Sequence, residues 1–189
     1  MALFDSFPYL ENDLILIHRM EASDVDCLEE ISWNDNLYRY IPPFLHRKSR
    51  STLLTAIGHL GGREFDNKRQ IIAGIYLKTD PGRLVGLTEM FDYRKRTNRM
   101  TIGYRVNESY WNRGIASSAV SLMTDYLVGR EHVGTLIANV MPENVFSARA
   151  LVRNGYVKQP VQEDKENWGG RDKAVVDVYA YTAGTNRKE

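Results

Sequence analysis

Three apolar, β-branched runs follow one another across residues 71–106: IIAGIYLK at 71–78, LVGLTEMFD at 84–92 and MTIGYRV at 100–106. Asp80-Pro81-Gly82 separates the first two, and a polar turn around residues 94–98 separates the second pair. Connections this short join neighbouring antiparallel strands, so the centre of the chain predicts a β-meander. The third run feeds YWNRGIASSAV at 110–120, where the apolar positions switch to helical spacing: Ile115, Ala119, Leu122, Met123 and Tyr126. TLIANVM at 135–141 is again strand-like. A strand–helix–strand unit implies a parallel pair closed by a right-handed crossover. The expected fold class is therefore α/β (α+β): one mixed, mostly antiparallel sheet flanked by helices.

The flanks fit the same plan. LILIHR at 14–19 reads as a first strand. Ser23 opens a helix, with Asp26 in a capping-box-like position and Val25, Leu28 and Ile31 at helical spacing. YRYIPPFL at 38–45 is a loop stiffened by Pro42 and Pro43; it either lines a substrate pocket or plugs the core. A second helix runs from about Ser51 to Gly61-Gly62. Asn144 starts a further helix with Val145, Ala148, Leu151 and Val152 inward, stopped by Asn154-Gly155. A short strand at Tyr156-Val157 and a last one, AVVDVYAY at 174–181, complete the order. No composition shift divides the chain, so residues 1–189 are expected to form one domain, with 183–189 as a polar tail.

Charge and composition exclude several classes. The net charge is +1, so nothing draws the chain as a whole to nucleic acid or a membrane. The basic turn of Arg94, Lys95, Arg96 and Arg99 lacks the interleaved aromatics of a base-stacking platform. The four histidines show no metal-ligand spacing, and Cys27 is the only cysteine, so neither a metal site nor an internal disulfide is expected. The opening MALFDSFPYLENDL has no basic stretch or long apolar run, and no segment reaches the ~18 apolar residues of a membrane span. The expectation is a soluble, cytoplasmic protein, monomer or homodimer.

A glycine and small residues at a strand-to-helix mouth have two readings. One is a tight turn. The other is a cradle in which bare backbone N–H groups and the helix dipole, about half a positive charge, hold an anion. The stretch is neither a GxxxxGK[ST] loop nor a GxGxxG fingerprint. Its partner lies downstream, in NVMPENVFSARALVRNGY at 139–156.

Together, WNRGIAS and the later N-x-x-S-x-x-x-L-x-x-x-G-Y resemble the GNAT acetyltransferase superfamily, in particular the branch of ribosomal-protein N-terminal acetyltransferases and spermidine acetyltransferases. The IGYRV strand and the opening LENDLILIHRMEASDVDCLEEI are similar to that branch too, so the resemblance covers nearly the whole chain. It implies a single-domain GNAT-like fold whose sheet splays at the cofactor site. It also implies acetyl-CoA as cosubstrate and an amine acceptor, either a protein N-terminal α-amine or a small-molecule amine such as a polyamine. The strand holding Tyr104 and ending at Val106 would bind the pantetheine arm through its backbone. Arg113, Gly114, Ile115, Ala116, Ser117 and Ser118 would cradle the pyrophosphate. Asn139, Asn144 and Ser147 would flank the cofactor where the sheet opens, with Ser147 near the thioester sulfur. The chain departs from the wider superfamily where Trp111 opens the pyrophosphate motif, and where Thr101 and Ser118 replace frequent glutamates. Leu151 holds the place of the general-acid tyrosine.

Acetyl transfer to an amine needs a neutral amine, a stabilised oxyanion and a protonated leaving thiolate. Glu89 is the candidate base: strand alternation puts it on one face with Val85, Leu87 and Phe91, and a carboxylate in such a row either finds a partner or has its pKa raised. Ser147 is the candidate donor to the thiolate or a cofactor contact; a first-turn serine also bonds its own helix end. Tyr104 and Tyr156 are further possible donors. Because Leu151 cannot give a proton, a CoA-binding sensor without catalysis is the alternative reading.

Overall fold

The structure is a computed structural model and describes residues 4–67 and 70–184. Its described strands form one eight-stranded sheet in the order β1-β2-β3-β4-β5-β6-β8-β7. The strands are β1 (Leu10–Glu11), β2 (Ile15–His18), β3 (Gln70–Leu77), β4 (Asp80–Arg94), β5 (Arg99–Val106), β6 (Thr135–Val140), β7 (Val157–Trp168) and β8 (Arg171–Thr182). Every neighbouring pair is antiparallel except β5 and β6, the pair joined by the crossover helix. The helices are α1 (Val25–Ser32), α2 (Asp35–Tyr38), α3 (Arg50–Gly61), α4 (Arg63–Asp66), α5 (Ile115–Asp125) and α6 (Val145–Arg153).

The sheet has two dressed faces. One packs on α1 and α3 through Leu28, Ile31, Leu53, Ile57, Ile72 and Leu87. The other packs on α5 and α6 through Ile102, Ala119, Met123, Leu136, Leu151 and Tyr156. We call these the front and the back face. The mixed, mostly antiparallel sheet and its flanking helices match the expected class.

Several local expectations are corrected. The first helix is capped two residues earlier than Ser23: Glu21 N–H donates to Asp24 Oδ2 at 2.7 Å and a 3-10 turn (Ala22–Asp24) precedes α1. The same Asp24 oxygen accepts the Tyr76 hydroxyl at 2.6 Å, so the carboxylate that closes the cap also anchors β3. The turn between β3 and β4 is tighter than Asp80-Pro81-Gly82, because Asp80 already pairs with Leu77. Val145 and Val152 do not face inward; they are 47% and 58% exposed, and α6 buries Ala150 and Leu151 instead. The strand at Tyr156-Val157 extends to Trp168 as half of a long hairpin. Of the polar tail, residues 185–189 lie outside the described residues.

One irregularity matters for the site. Ile75 pairs with Gly86 while Tyr76 pairs with Leu84, so Val85 is an extra residue in β4, a β-bulge. Leu84 and Leu87 consequently share the front core, and Val85 turns to the back core. Val85 is not in the row of Leu87, Glu89 and Phe91, contrary to simple alternation.

Candidate active site

β5 and β6 pair only from Arg99 with Thr135 to Thr101 with Ile137. Beyond Thr101 they part, and residues 102–106 of β5 have no β6 partner on that side. A cleft of about 760 Å³ opens at this parting. Its walls come from both faces of the sheet, which register makes explicit, because directly paired residues point to the same side. Glu89 pairs with Gly103, Phe91 with Thr101 and Leu87 with Arg105. Thr101 in turn pairs with Ile137, two residues before Asn139. Glu89, Gly103, Arg105 and Asn139 are therefore front-face positions. Tyr104 lies on the back face, against α6.

The mouth of the cleft is the turn into α5. Gly114 is the N-cap, with φ +78° and ψ −2°. That left-handed conformation is cheap for glycine and strained for a branched residue. Ile115, Ala116 and Ser117 follow as the first helical residues, and the first-turn amides of a helix have no acceptor within it. Gly114, Ile115, Ala116 and Ser117 all line the cleft. The expected cradle of residues 113–118 is thus narrower. Ser118 N–H already donates to the Gly114 carbonyl at 2.9 Å, and Arg113 lies over the Tyr110 ring at 5.1 Å. Neither Arg113 nor Ser118 lines the cleft. Trp111 folds back so that its Nε1 donates to the Val106 carbonyl at 2.7 Å, tying the turn to the strand end. Replacing Gly114 by valine should weaken binding of an anionic cosubstrate by tenfold or more, on the order of 1.4 kcal/mol. The added Cβ would meet nothing closer than Leu14 Cδ2 at 3.8 Å, so the variant can be checked for folding before titration by calorimetry. Unchanged affinity would leave the turn as only a turn.

On the back face a hydroxyl pair stands at the parting. Tyr104 Oη lies 2.7 Å from Ser147 Oγ and 3.2 Å from the Ser147 carbonyl. Burial pushes the Tyr104 phenol up to about 12, against the opposing pull of the Ser147 hydrogen bond, so it keeps its proton at neutral pH. Asn144 caps α6 by accepting Ser147 N–H at Oδ1, 3.2 Å, and lines the same wall. Asn144→Ala should cost about 1 kcal/mol of stability. Asn144→Asp should keep the cap yet weaken an anionic cosubstrate by its charge. Thermal melts and titration of the two variants check both halves. Tyr156 does not join the site: its hydroxyl is spent on Thr124 Oγ1 at 2.9 Å, and burial raises its pKa. Leu151, fully buried, is core.

On the front face Glu89 sits beside a residue that strand patterning did not single out. Arg105 has 2% side-chain exposure and donates through both Nε, at 3.0 Å, and Nη2 to one Glu89 oxygen, Oε1. Its Nη1 reaches the Phe44 carbonyl at 2.8 Å and the Tyr38 hydroxyl at 3.4 Å. Burial works against this buried cation, but the Glu89 charge and the Tyr38 hydroxyl outweigh it and raise its pKa. Of the two outcomes expected for a carboxylate in such a row, Glu89 takes the first: it has a partner. The signal was present in MTIGYRV, where Thr101, Gly103 and Arg105 alternate as a face too polar for a core. Oε2 accepts no hydrogen bond from the described residues, and Asn139 Oδ1 is buried and also without a partner.

The front wall is completed by two distant segments. The loop after α2 contributes Arg39, Tyr40, Ile41 and Pro42, and the β7–β8 hairpin contributes Lys165 and Trp168. They are stapled together: Trp168 Nε1 donates to the Tyr40 carbonyl at 2.8 Å and Gly169 N–H to the Ile41 carbonyl at 3.1 Å. The aromatic loop therefore lines the cleft, while Tyr38, nearer its start, plugs the front core.

The sheet parts above a helix mouth, and hydrogen-bonding groups face the gap from both sides. The chain belongs to the acetyltransferase (GNAT) domain family, whose profile matches residues 14–157. It is 27% identical over 176 residues to the uncharacterized N-acetyltransferase p20 of Bacillus licheniformis, covering 92% of this chain and 94% of that one. Its fold superimposes on Mycobacterium smegmatis RimJ in complex with CoA-disulfide, with a TM-score of 0.81, 19% identity and coverage of 98% and 90%. It also matches the microcin C7 self-immunity acetyltransferase MccE in complex with acetyl-CoA and AMP, with a TM-score of 0.77, 17% identity and coverage of 90% and 93%. Among the described residues, no helix is long and apolar enough to cross a membrane, and no group of three or more His, Cys, Asp or Glu is placed to hold a metal ion.

Proposed function

We propose that this acetyltransferase takes its acetyl group from acetyl-CoA and passes it directly to the α-amine of a peptide N-terminus. The carrying observation is the two-sided cleft. The Gly114 cradle and the parted edge of β5 suit a diphosphate followed by an extended amide-bearing arm, and the front face suits the acceptor. The solved neighbours named above hold CoA-disulfide or acetyl-CoA.

The chemistry divides along the sheet. On the front face the amine nitrogen attacks the thioester carbonyl carbon, and Glu89 Oε2 takes the amine's proton directly or through water. The carbon–sulfur bond then breaks, and the thiolate draws a proton from the back face, where Tyr104 and Ser147 offer hydroxyls. An ammonium acceptor thus loses two protons: one leaves to solvent through Glu89, and the other, shed as the amide forms, restores through water the hydroxyl that protonated the thiolate, so the products are the acetamide, the free thiol and one released proton. Tyr104 offers a hydroxyl where Leu151 cannot, which supports turnover over a sensor.

The acceptor class follows from charge. Of the carboxylates lining the cleft, Glu89 pairs with Arg105 through Oε1 and Asp92 with Arg94 at 2.7 Å, while Glu108 keeps its charge beside the neutral Asn36 amide at 3.1 Å. Arg39 adds positive charge to the front wall, while Lys165 is paired with Glu163 Oε2 at 2.6 Å. A polyamine carries several charges and calls for several free carboxylates. A peptide α-amine carries one, and with a pKa of about 7.7–8 it gives up its proton near neutral pH with little help. Thiol release from acetyl-CoA with a panel of N-terminal peptides, lysine-like amines and polyamines tests the reading. Turnover of peptides with free N-termini is expected. Turnover confined to polyamines would overturn the acceptor class, and none with any amine would overturn the enzyme reading.

A further inference from the structure

We propose that Glu89 and Asn139 grip the two N–H groups of a primary amine between them, and that this grip makes the enzyme select primary over N-substituted amines. The inference rests on the N-acetyltransferase reading above and deepens it.

The residues stand on either side of a gap with a glycine floor. Glu89 on β4 pairs with Gly103 on β5, and Asn139 on β6 follows Ile137, the partner of Thr101. Asn139 is therefore the front-face position across the parting from Gly103. No side chain rises between them, and a Cβ on Gly103 would lie 3.5 Å from Glu89 Oε2, so that oxygen overhangs the floor. Strands in a ladder lie about 4.8 Å apart. Two such spacings, about 9.6 Å between backbones, are bridged by one nitrogen as both side chains lean inward over Gly103.

The chemistry of the two groups is matched. Arg105 takes only Oε1 of Glu89, which leaves Oε2 facing the cleft. Asn139 lines the same cleft and its Oδ1 is the one buried side-chain oxygen or nitrogen among the described residues with no hydrogen-bond partner. A buried acceptor without a donor is destabilising, and a donor arriving with substrate would remove that cost. Two acceptors on opposite sides call for two N–H donors on one atom. A neutral primary amine has two, and its lone pair is then left pointing at the carbonyl carbon. A neutral secondary amine has one and leaves an acceptor unsatisfied. Asn139 on the front face is also opposite in direction to Tyr104 and Ser147, which places it with the acceptor amine and away from the leaving sulfur.

The test compares an alanine-initiated peptide with the same peptide starting in N-methylalanine, using wild type, Asn139→Ala and Asn139→Asp, each verified as folded by thermal melting. Wild-type turnover of the alanine peptide establishes the underlying reading by itself. The wild type should prefer the primary amine by tenfold or more in kcat/KM. Asn139→Ala should erase most of that preference by slowing the primary amine, with acetyl-CoA affinity unchanged by calorimetry. Asn139→Asp keeps an acceptor oxygen and should keep the preference. An unchanged preference in Asn139→Ala, or a loss of acetyl-CoA affinity in that variant, would overturn the proposal and return Asn139 to the cofactor.

Discussion

Glu89→Gln is expected to lower turnover by roughly 10²–10⁴, the range of a lost proton acceptor. Glutamine still offers one oxygen to Arg105, so the front wall should keep its shape. Acetyl-CoA affinity should barely change, because Glu89 lies on the front face and the proposed cradle at Gly114 is on another element. The pH profile separates chemistry from injury. Below the amine's own pKa nearly all acceptor is protonated, and the enzyme must take the proton away. Above it, solvent supplies neutral amine. The deficit should therefore be largest near pH 6.5 and shrink as pH rises through about 8 for an α-amine, or toward about 10 for a lysine-like amine. A structural defect would lower activity equally at every pH. A deficit that stays flat across the range would take Glu89 out of proton transfer, leaving positioning of an already neutral amine as the main device. The pH at which the deficit closes also reports the acceptor class.

The second large effect is on stability. Arg105→Met should destabilise the fold by about 3 kcal/mol, because breaking one side of a buried ion pair leaves the other uncompensated. The Arg105 side chain is 2% exposed and Glu89's is 16%, so the lower end of the usual range applies. Two further acceptors, the Phe44 carbonyl and the Tyr38 hydroxyl, lose their donor as well. Urea denaturation measures the loss. A second variant, Glu89→Leu in the Arg105→Met background, should recover much of it, since two apolar groups replace the pair; the double-mutant cycle then reads the coupling. Additive losses would mean that the pair does not act as a unit.

The central meander, the crossover helix and the Gly114 turn were legible in the sequence because each rests on a local code: strand alternation, helical spacing, a glycine at a cap. The long β7–β8 hairpin was not. VKQPVQEDKENW is exposed along most of its length, so it carries no apolar alternation to read. The Val85 bulge was invisible for a different reason. One extra residue leaves the run of apolar letters unchanged while reversing which core each letter enters. Of the cleft, the glycine turn into α5 was readable and the front wall was not. Glu89 and Arg105 are 16 residues apart and meet only because the β4–β5 register brings them together. Asn139 draws attention only once its oxygen is seen to lack a partner.

A hairpin at the end of a sheet is usually the most replaceable part of a fold. The staple from Trp168 and Gly169 to the loop carbonyls of Tyr40 and Ile41 gives this one leverage. Loop and hairpin are tied into one wall, anchored through β7 and β8 to the edge of the sheet, while the opposite wall is built on β5, α5 and α6. The two halves can therefore be remodelled independently. A change of length or sequence at the hairpin tip would reset the width of the cleft on that side, and under the proposed function the amines admitted, with the Gly114 turn and the Tyr104–Ser147 pair left as they were.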